Sequence, residues 1–158
     1  MIKMVAIVPK HLVADPKRMH AAVERAMDKT AIRVQDMFEE TTATWEHTVK
    51  FAISAPDWNE RTVSTDDTIY GYVNFGTAPH LIAPRAARML RFATGYRAKT
   101  QAGSIGSTSG GANGPIVYLR GVVRHPGTKA RKFDKQIAKL FESRLAEAVR
   151  DEFAKELP

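Results

Sequence analysis

The sequence predicts an α+β fold in which an antiparallel sheet of four to five strands packs against two long helices, one near each end. Two stretches with apolar residues at helical spacing flank a central region in which apolar residues alternate with polar ones. Amphipathic helices need a surface to cover, and a sheet with one apolar face supplies it. With 158 residues, no cysteine and no internal repeat, a single domain spanning 1–158 is expected.

The first helix is predicted from Asp15-Pro16 to about Thr44. Aspartate accepts a backbone N–H at a helix N-cap, and proline fits the first helical position. The apolar face of this helix consists of Val23, Met27, Val34, Met37, Phe38 and Trp45. A final helix is predicted from about Ala130 to Leu157. Its apolar stripe consists of Phe133, Ile137, Leu140, Phe141, Leu145, Ala148, Val149 and Phe153.

Several short segments have strand character because apolar and polar residues alternate in them. They are 2–8, 49–54, 61–65, 68–75, 89–93 and 116–123. Gly71 and Gly121 lie inside two of these segments and suggest bulges or close backbone contacts. The stretch from Gly95 to Pro115 is rich in Gly, Ser, Thr and Ala, which predicts a long flexible loop or arm that orders on assembly.

Charge is strongly segregated along the chain. The formal net charge is +7, yet no acidic residue lies between Asp67 and Asp134, while the rest of the chain carries a net charge of −3. The ten basic residues of that stretch are the candidate interface: Arg85, Arg88, Arg91, Arg97, Lys99, Arg120, Arg124, Lys129, Arg131 and Lys132. Such asymmetry indicates a surface that meets a nucleic acid or an acidic protein face, including that of a second copy. In the alternative, these residues spread over several faces and pair with acids of the flanking segments.

No residue pattern predicts catalysis, a cofactor or a metal. His80 and His125 both lie beside prolines at predicted strand ends and could meet, but two imidazoles without carboxylates are too few for a metal site. Asp66-Asp67 is interpreted as a turn, and the serines of the Gly/Ser stretch have no rigidly held base beside them. No apolar run is long enough to cross a membrane, and no signal peptide is expected. The chain is therefore expected not to be an enzyme.

Two segments carry a family resemblance. The first runs from Tyr72 to His80 with Ile82, Pro84 and Leu90-Arg91-Phe92 behind it, and the second runs from Val122 to Ala130 with Phe133 behind it. They resemble the FGT-x-PH-x-I-x-P and HPGTKA-x-x-F segments of the tail-component family of long-tailed phages, a family similar to the minor tail protein Z group of lambdoid phages. Arg131-Lys132 stands where the family usually has proline before the phenylalanine.

The motif residues are interpreted as structural, because glycine supplies backbone freedom and proline fixes φ where the chain reverses. These residues are Phe75, Gly76, Thr77, Pro79, His80, His125, Pro126, Gly127 and Thr128. Thr128 is also the predicted N-cap of the last helix.

The resemblance implies a virion structural protein of the head–tail junction, made in the host cytoplasm. It would assemble as a ring that joins the head connector to the tail terminator or tail tube, with DNA in the lumen as a further candidate contact. The alternative is a small basic nucleic-acid-binding protein, because Tyr96 lies near Arg97 and Lys99, and Tyr118 lies near Arg120.

Overall fold

The computed structural model describes residues 1–6, 15–85, 87–93, 100, 102 and 114–156. Within these ranges the chain is a mixture of helix and strand, which confirms the α+β class. The elements are β1 (Ile2–Val5), α1 (Pro16–Thr42), β2 (Ala52–Asp57), β3 (Glu60–Ser64), α2 (Thr68–Phe75), β4 (His80–Ile82), β5 (Leu90–Ala93), β6 (Ile116–Leu119), β7 (Val123–His125) and α3 (Phe133–Ala154).

The described strands form three smaller antiparallel units and not the predicted single sheet of four to five strands. In the described ranges, β1, β3 and β2 form a three-stranded sheet in that order, β4 pairs with β7, and β5 pairs with β6. The helices and the three-stranded sheet, together called the body, hold the hydrophobic core. The other four strands pair two by two as a two-stranded ribbon, and this ribbon, with the described residues between 77 and 128 that adjoin it, is called the arm.

The first helix follows its sequence signals closely. The Asp15 side chain accepts a hydrogen bond from the Lys17 N–H at 3.0 Å, and Pro16 occupies the first turn. Val23 and Val34 are fully buried, as the helical spacing predicts. The helix ends at Thr42, so the predicted face residue Trp45 lies beyond it, although its side chain is still buried.

The core is closed by aromatic packing between α1, the sheet and α2. The Phe38 ring stacks on Phe51 with centroids 4.9 Å apart, and the Tyr70 ring meets Phe51 edge-on at 5.2 Å. Phe133 and Ile137, from the start of α3, are fully buried beside them. Aromatic pairs in these geometries add stabilisation beyond the area they bury.

The segment 68–75 is a helix, so its prediction as a strand is wrong. The Asp67 side chain accepts the Tyr70 N–H at 2.7 Å as an N-cap, and Gly76 ends the helix with a positive φ of 76°. Tyr70 and Asn74, four residues apart, are the buried residues of this helix. The alternating apolar pattern wrongly predicted a strand, because a helix of eight residues has only about two turns in which helical periodicity can be seen. The capping residues are therefore the better evidence for a helix.

The last helix begins at Phe133, three residues later than predicted, and Thr128 is not its N-cap. Lys132 holds that position in a left-handed conformation with φ 56° and no side-chain capping bond. The Thr128 hydroxyl instead lies 3.0 Å from that of Thr77. Of the predicted stripe, Phe133, Ile137 and Phe141 are buried, whereas Leu140 is 38% exposed and the apolar residues from Leu145 onward are half-buried.

An ion-pair network around a buried carboxylate joins the first half of α1 to the C-terminal end of α3. Glu152 is 4% exposed and accepts hydrogen bonds from Arg25 at 2.9 Å, Lys29 at 2.6 Å and Lys155 at 2.7 Å. Arg25 also bonds to Glu156 at 2.5 Å. Lys155, then Lys29 and Arg25, lower the pKa of Glu152 to about 2.

A Gly71→Ala substitution tests the helical assignment of 68–75. Gly71 lies inside α2, and a Cβ added there meets no atom within 4 Å. Because alanine is the better helix former, we expect the free energy of unfolding to rise by about 0.5–1 kcal/mol. Chemical denaturation of the two proteins measures this. Destabilisation would indicate the bulged strand instead.

A Glu152→Gln substitution tests the seam between α1 and α3. Because the folded pKa of Glu152 lies below the ordinary 4.5, the network stabilises the protein above that pH and loses its contribution as the pH falls toward 2. We expect the variant to melt several degrees below the natural protein at pH 7, with the gap closing toward pH 2. Glu147→Gln, at an exposed position of α3, is the control. A gap that is independent of pH would contradict this account.

Candidate functional site

The two motif segments meet at the point where the arm leaves the body, although they are about fifty residues apart in sequence. The N–H of Thr77 donates to the carbonyl of Thr128 at 3.1 Å, and the N–H of Thr128 donates back at 3.2 Å. The Thr128 N–H also lies 3.0 Å from the Thr77 hydroxyl. This contact, together with Gly76 and Gly127 beside it, is called the root.

Both root glycines are required by geometry. Gly76 has a φ of 76°, and a Cβ there would lie 2.6 Å from the carbonyl oxygen of Thr128. Gly127 has a φ of 85°, and its Cβ would lie 2.1 Å from the carbonyl oxygen of Thr77. A side chain at either position would therefore force the two backbones apart, in a conformation that L-residues already disfavour.

The root is tied directly to two helices of the body. The last carbonyls of α2, on Val73 and Asn74, accept the N–H groups of Arg131 at 3.1 Å and Lys132 at 3.0 Å. The buried Asn74 side chain also accepts the N–H of Asp134 at 3.3 Å, at the start of α3. Carbonyls that a helix end leaves without partners thus fix the returning strand and the next helix.

The next pair along the arm is His80 and His125, which lie directly opposite one another with ring centroids 4.9 Å apart. His80 Nδ1 bonds to the carbonyl of Ala78, so this nitrogen carries the proton. His125 Nδ1 accepts the N–H of Gly127, which places the proton of a neutral ring on Nε2. The two rings therefore do not offer two free nitrogens to one ion, and no cluster of three or more metal-ligating side chains occurs in the described ranges.

Beyond the histidines the ribbon bends. Seven residues separate Ile82 from Leu90 on the outgoing strand, whereas three separate Leu119 from Val123 on the returning strand. The outgoing chain therefore has additional residues between Ile82 and Leu90, and the continuous strand predicted over 116–123 is broken between Leu119 and Val123. Extra residues on one strand bend a ribbon and increase its twist.

The outer part of the arm has one wholly apolar face. Leu90 lies opposite Leu119 and Phe92 lies opposite Val117, and directly paired residues share a face. Phe92 and Leu119 are each 39% exposed, and none of the described arm residues is buried. A two-stranded ribbon has no core of its own, and this face lies largely at the surface, with Leu90 and Val117 half-buried.

Most of the candidate interface residues lie on or beside the arm. Those on the surface are Arg85, Arg88, Arg91, Arg120, Arg124, Lys129 and Lys132. Arg131 is half-buried and bonds to the carbonyl and hydroxyl of Thr100, close to where Ala102 packs against the core. Arg97 and Lys99, with nearly all of the predicted flexible stretch 95–115, lie outside the described residues.

Sequence reasoning missed an acidic region at the end of α1. No Lys or Arg occurs in residues 34–49, whereas Asp36, Glu39, Glu40 and Glu46 do. His47 bonds there to Asp67, the N-cap of α2. Burial raises the pKa of Asp67, but its bonds from the Tyr70 N–H and from His47 outweigh burial and leave the pKa below its ordinary value. The His47–Asp67 pair thus lies at the N-terminus of α2, where Asp67 is the cap.

None of the helices in the described ranges combines the length and apolarity that crossing a membrane requires. Comparison of the chain with protein-family models, with curated proteins and with solved structures finds no match to any of them.

The root is tested by Gly127→Ala, with Gly121→Ala as the matched control. Both glycines have a φ near 85–88°, but a Cβ at Gly121 meets nothing within 4 Å. We expect Gly127→Ala to speed hydrogen–deuterium exchange at the Thr77 and Thr128 amides by about tenfold or more, because the backbones separate. Gly121→Ala should leave those amides nearly unchanged. Equal effects of the two substitutions would show that the close approach does not hold the root.

Proposed function

We propose that this protein is a structural component of the head–tail junction of a long-tailed phage, and that its copies form a ring between the head connector and the tail. The single observation that carries the proposal is the arm: a basic ribbon with a bare apolar face on a body that has its own core. An exposed apolar face of this kind marks an interaction surface. The FGTAPH and HPGTKA segments, whose resemblance first suggested the family, build the root of this arm.

A protein partner explains the exposed apolar face better than a nucleic-acid partner does. Ile69, Tyr72 and Phe75 form a second exposed apolar row, at spacings of three along α2, and this row ends at the root. Nucleic acid would neutralise the arginines but would leave most of this apolar surface in water. A protein surface covers both, since burial gives about 25 cal/mol per Å² of apolar area.

A ring follows from the use of two different surfaces. The arm is basic, and the flanking parts of the chain carry a net charge of −3. The arm of one copy therefore complements an acidic face of the next copy, and these two surfaces differ from one another. Contacts between unlike surfaces run head to tail, and they close into a cyclic assembly where the rotation between neighbours permits. The mechanism is therefore structural, and no residue is assigned a catalytic role.

One observation favours the second candidate, a nucleic-acid interface. Arg91 lies directly opposite Tyr118 on the other face of the arm, and Tyr118 is 56% exposed. An arginine beside an exposed aromatic ring suits phosphate contact with base stacking. This candidate requires affinity that falls steeply with salt, because phosphate contacts release counterions. In the ring this face would line the lumen and meet the packaged DNA.

Deletion of the gene from its parent phage or prophage tests the proposal by electron microscopy. We expect full heads and finished tails that are not joined, and joined particles when the natural gene is supplied in trans. A gene carrying Phe92→Asp and Leu119→Asp should fail to restore joining, because it places charge on the apolar face. Leu140→Asp, at a similarly exposed position of α3, is the control and should restore it.

Normally joined particles from the deletion strain would overturn the neck function. The salt dependence of DNA and RNA binding would then decide the second candidate.

A further inference from the structure

We propose that the arm of each copy is seated in a groove at the end of α1 of the next copy. The groove is lined by Glu39, Thr42, Trp45, Val49, Phe51 and Asp66, and is called the acidic groove. This inference rests on the proposed ring and names the surface through which neighbouring copies meet.

The acidic groove is large enough for a strand pair to lie against. It comprises two adjoining cavities of about 500 and 580 Å³, which share Thr48, Lys50 and Phe51. The first lies between the end of α1 and the segment that enters β2. The second continues along β2 to the turn before α2.

The lining of the groove matches the two faces of the arm. Its inner wall carries Trp45, Val49 and Phe51, so an apolar ribbon face laid against it would be removed from water. Glu39 and Asp66 lie toward its rims, within reach of arginines on the edges of such a ribbon. Lys50 is the one Lys or Arg among the described lining residues, and His47 also lines the groove.

Charge distinguishes this surface from the other acidic face of the body. Asp36, Glu39 and Glu40 make no ion pair within the described residues, and no Lys or Arg occurs from 34 to 49. The acids on the exposed face of α3 are instead interleaved with its lysines and arginines. The arm carries no acid at all, so the end of α1 is its best complement, and complementary potentials both guide and align partners.

An unpartnered donor lies at the same place. Trp45 is 7% exposed, and its indole N–H has no acceptor within the described residues. Buried donors are nearly always paired, so a missing acceptor needs an explanation. The outer edge of a ribbon strand presents backbone carbonyls, and a small shift of the groove wall on docking would bring one to this N–H.

The docking of the arm in the acidic groove of the next copy is called the seat. Cysteine pairs test it directly, because the chain contains no natural cysteine. Ala43→Cys lies on the groove, and Val122→Cys lies on the arm outside its apolar face; both positions are exposed. A gene with both changes would complement the deletion strain, and joined particles would be treated with a short bismaleimide. We expect a ladder of covalent multimers linked between residues 43 and 122. Ala146→Cys, an exposed alanine on α3, replaces Ala43→Cys in the control and should give no ladder.

The outcomes separate the seat from the ring. Joined particles that need the protein but show no link between 43 and 122, or that show only the link within one chain, would overturn the seat and leave the proposed function standing. Particles that join without the protein would remove the proposed function itself.

Charge exchange gives a second measurement that does not depend on the reach of the cross-linker. Glu39→Arg with Asp66→Arg should lower the yield of joined particles at least about tenfold, because arginines would then face arginines. Adding Arg85→Glu and Arg88→Glu to the same gene, at two exposed arginines beside the paired strands of the arm, should restore most of the yield. Glu147→Arg, at an exposed acid of α3, should change little. Failure of the arm changes to restore the yield would overturn the seat.

Discussion

Two close backbone approaches, Gly76 against Thr128 and Gly127 against Thr77, join the arm to the body. Each glycine abuts a backbone oxygen of the other segment, and the paired hydrogen bonds between Thr77 and Thr128 hold the two segments together. The same segments accept and donate the bonds that end α2 and precede α3, through Asn74. The direction of the arm is therefore set by rigid backbone contacts with two helices, and not by the packing of its own side chains.

This attachment divides the molecule into parts held by different forces. The body is stabilised by burial of apolar residues and by the network around Glu152. The arm has the backbone hydrogen bonds of a two-stranded ribbon, and such a ribbon alone is marginally stable in water. Much of its apolar face is exposed in a single copy. That face gains free energy only where another surface covers it, which is the physical basis for a partner.

The sequence predicts well those features whose signals are local. The cap at Asp15 and the long apolar stripes identify α1 and α3, because a stripe of several turns averages out single exceptions. The helix at 68–75 is too short for such averaging, and its caps at Asp67 and Gly76 are the better evidence. The root is beyond local patterns, since the Thr77–Thr128 contact joins segments that spacing alone does not relate.

The arm shows why pairing is harder to predict than strand character. The segment 116–123 alternates like one strand, but its partner carries the additional residues around Pro84 that interrupt the pairing. The ten basic residues can be identified from the sequence. Their separation in space from the acidic residues cannot, because it depends on whether each segment belongs to the arm or to the body. The matching acidic stretch at the end of α1 is also readable from composition, once long runs without Lys or Arg are sought as carefully as runs without acids.

In the proposed ring, the rigidity of the root has a consequence for assembly. Each copy presents one arm and one groove, so the angle between these two surfaces determines the rotation from one copy to the next. A flexible root would permit many rotations, and open chains of variable length would compete with closed rings. Glycine at 76 and 127 allows contacts so close that the arm leaves the body in one direction. The residues that fix the fold of one copy thereby also limit the number of copies that can close.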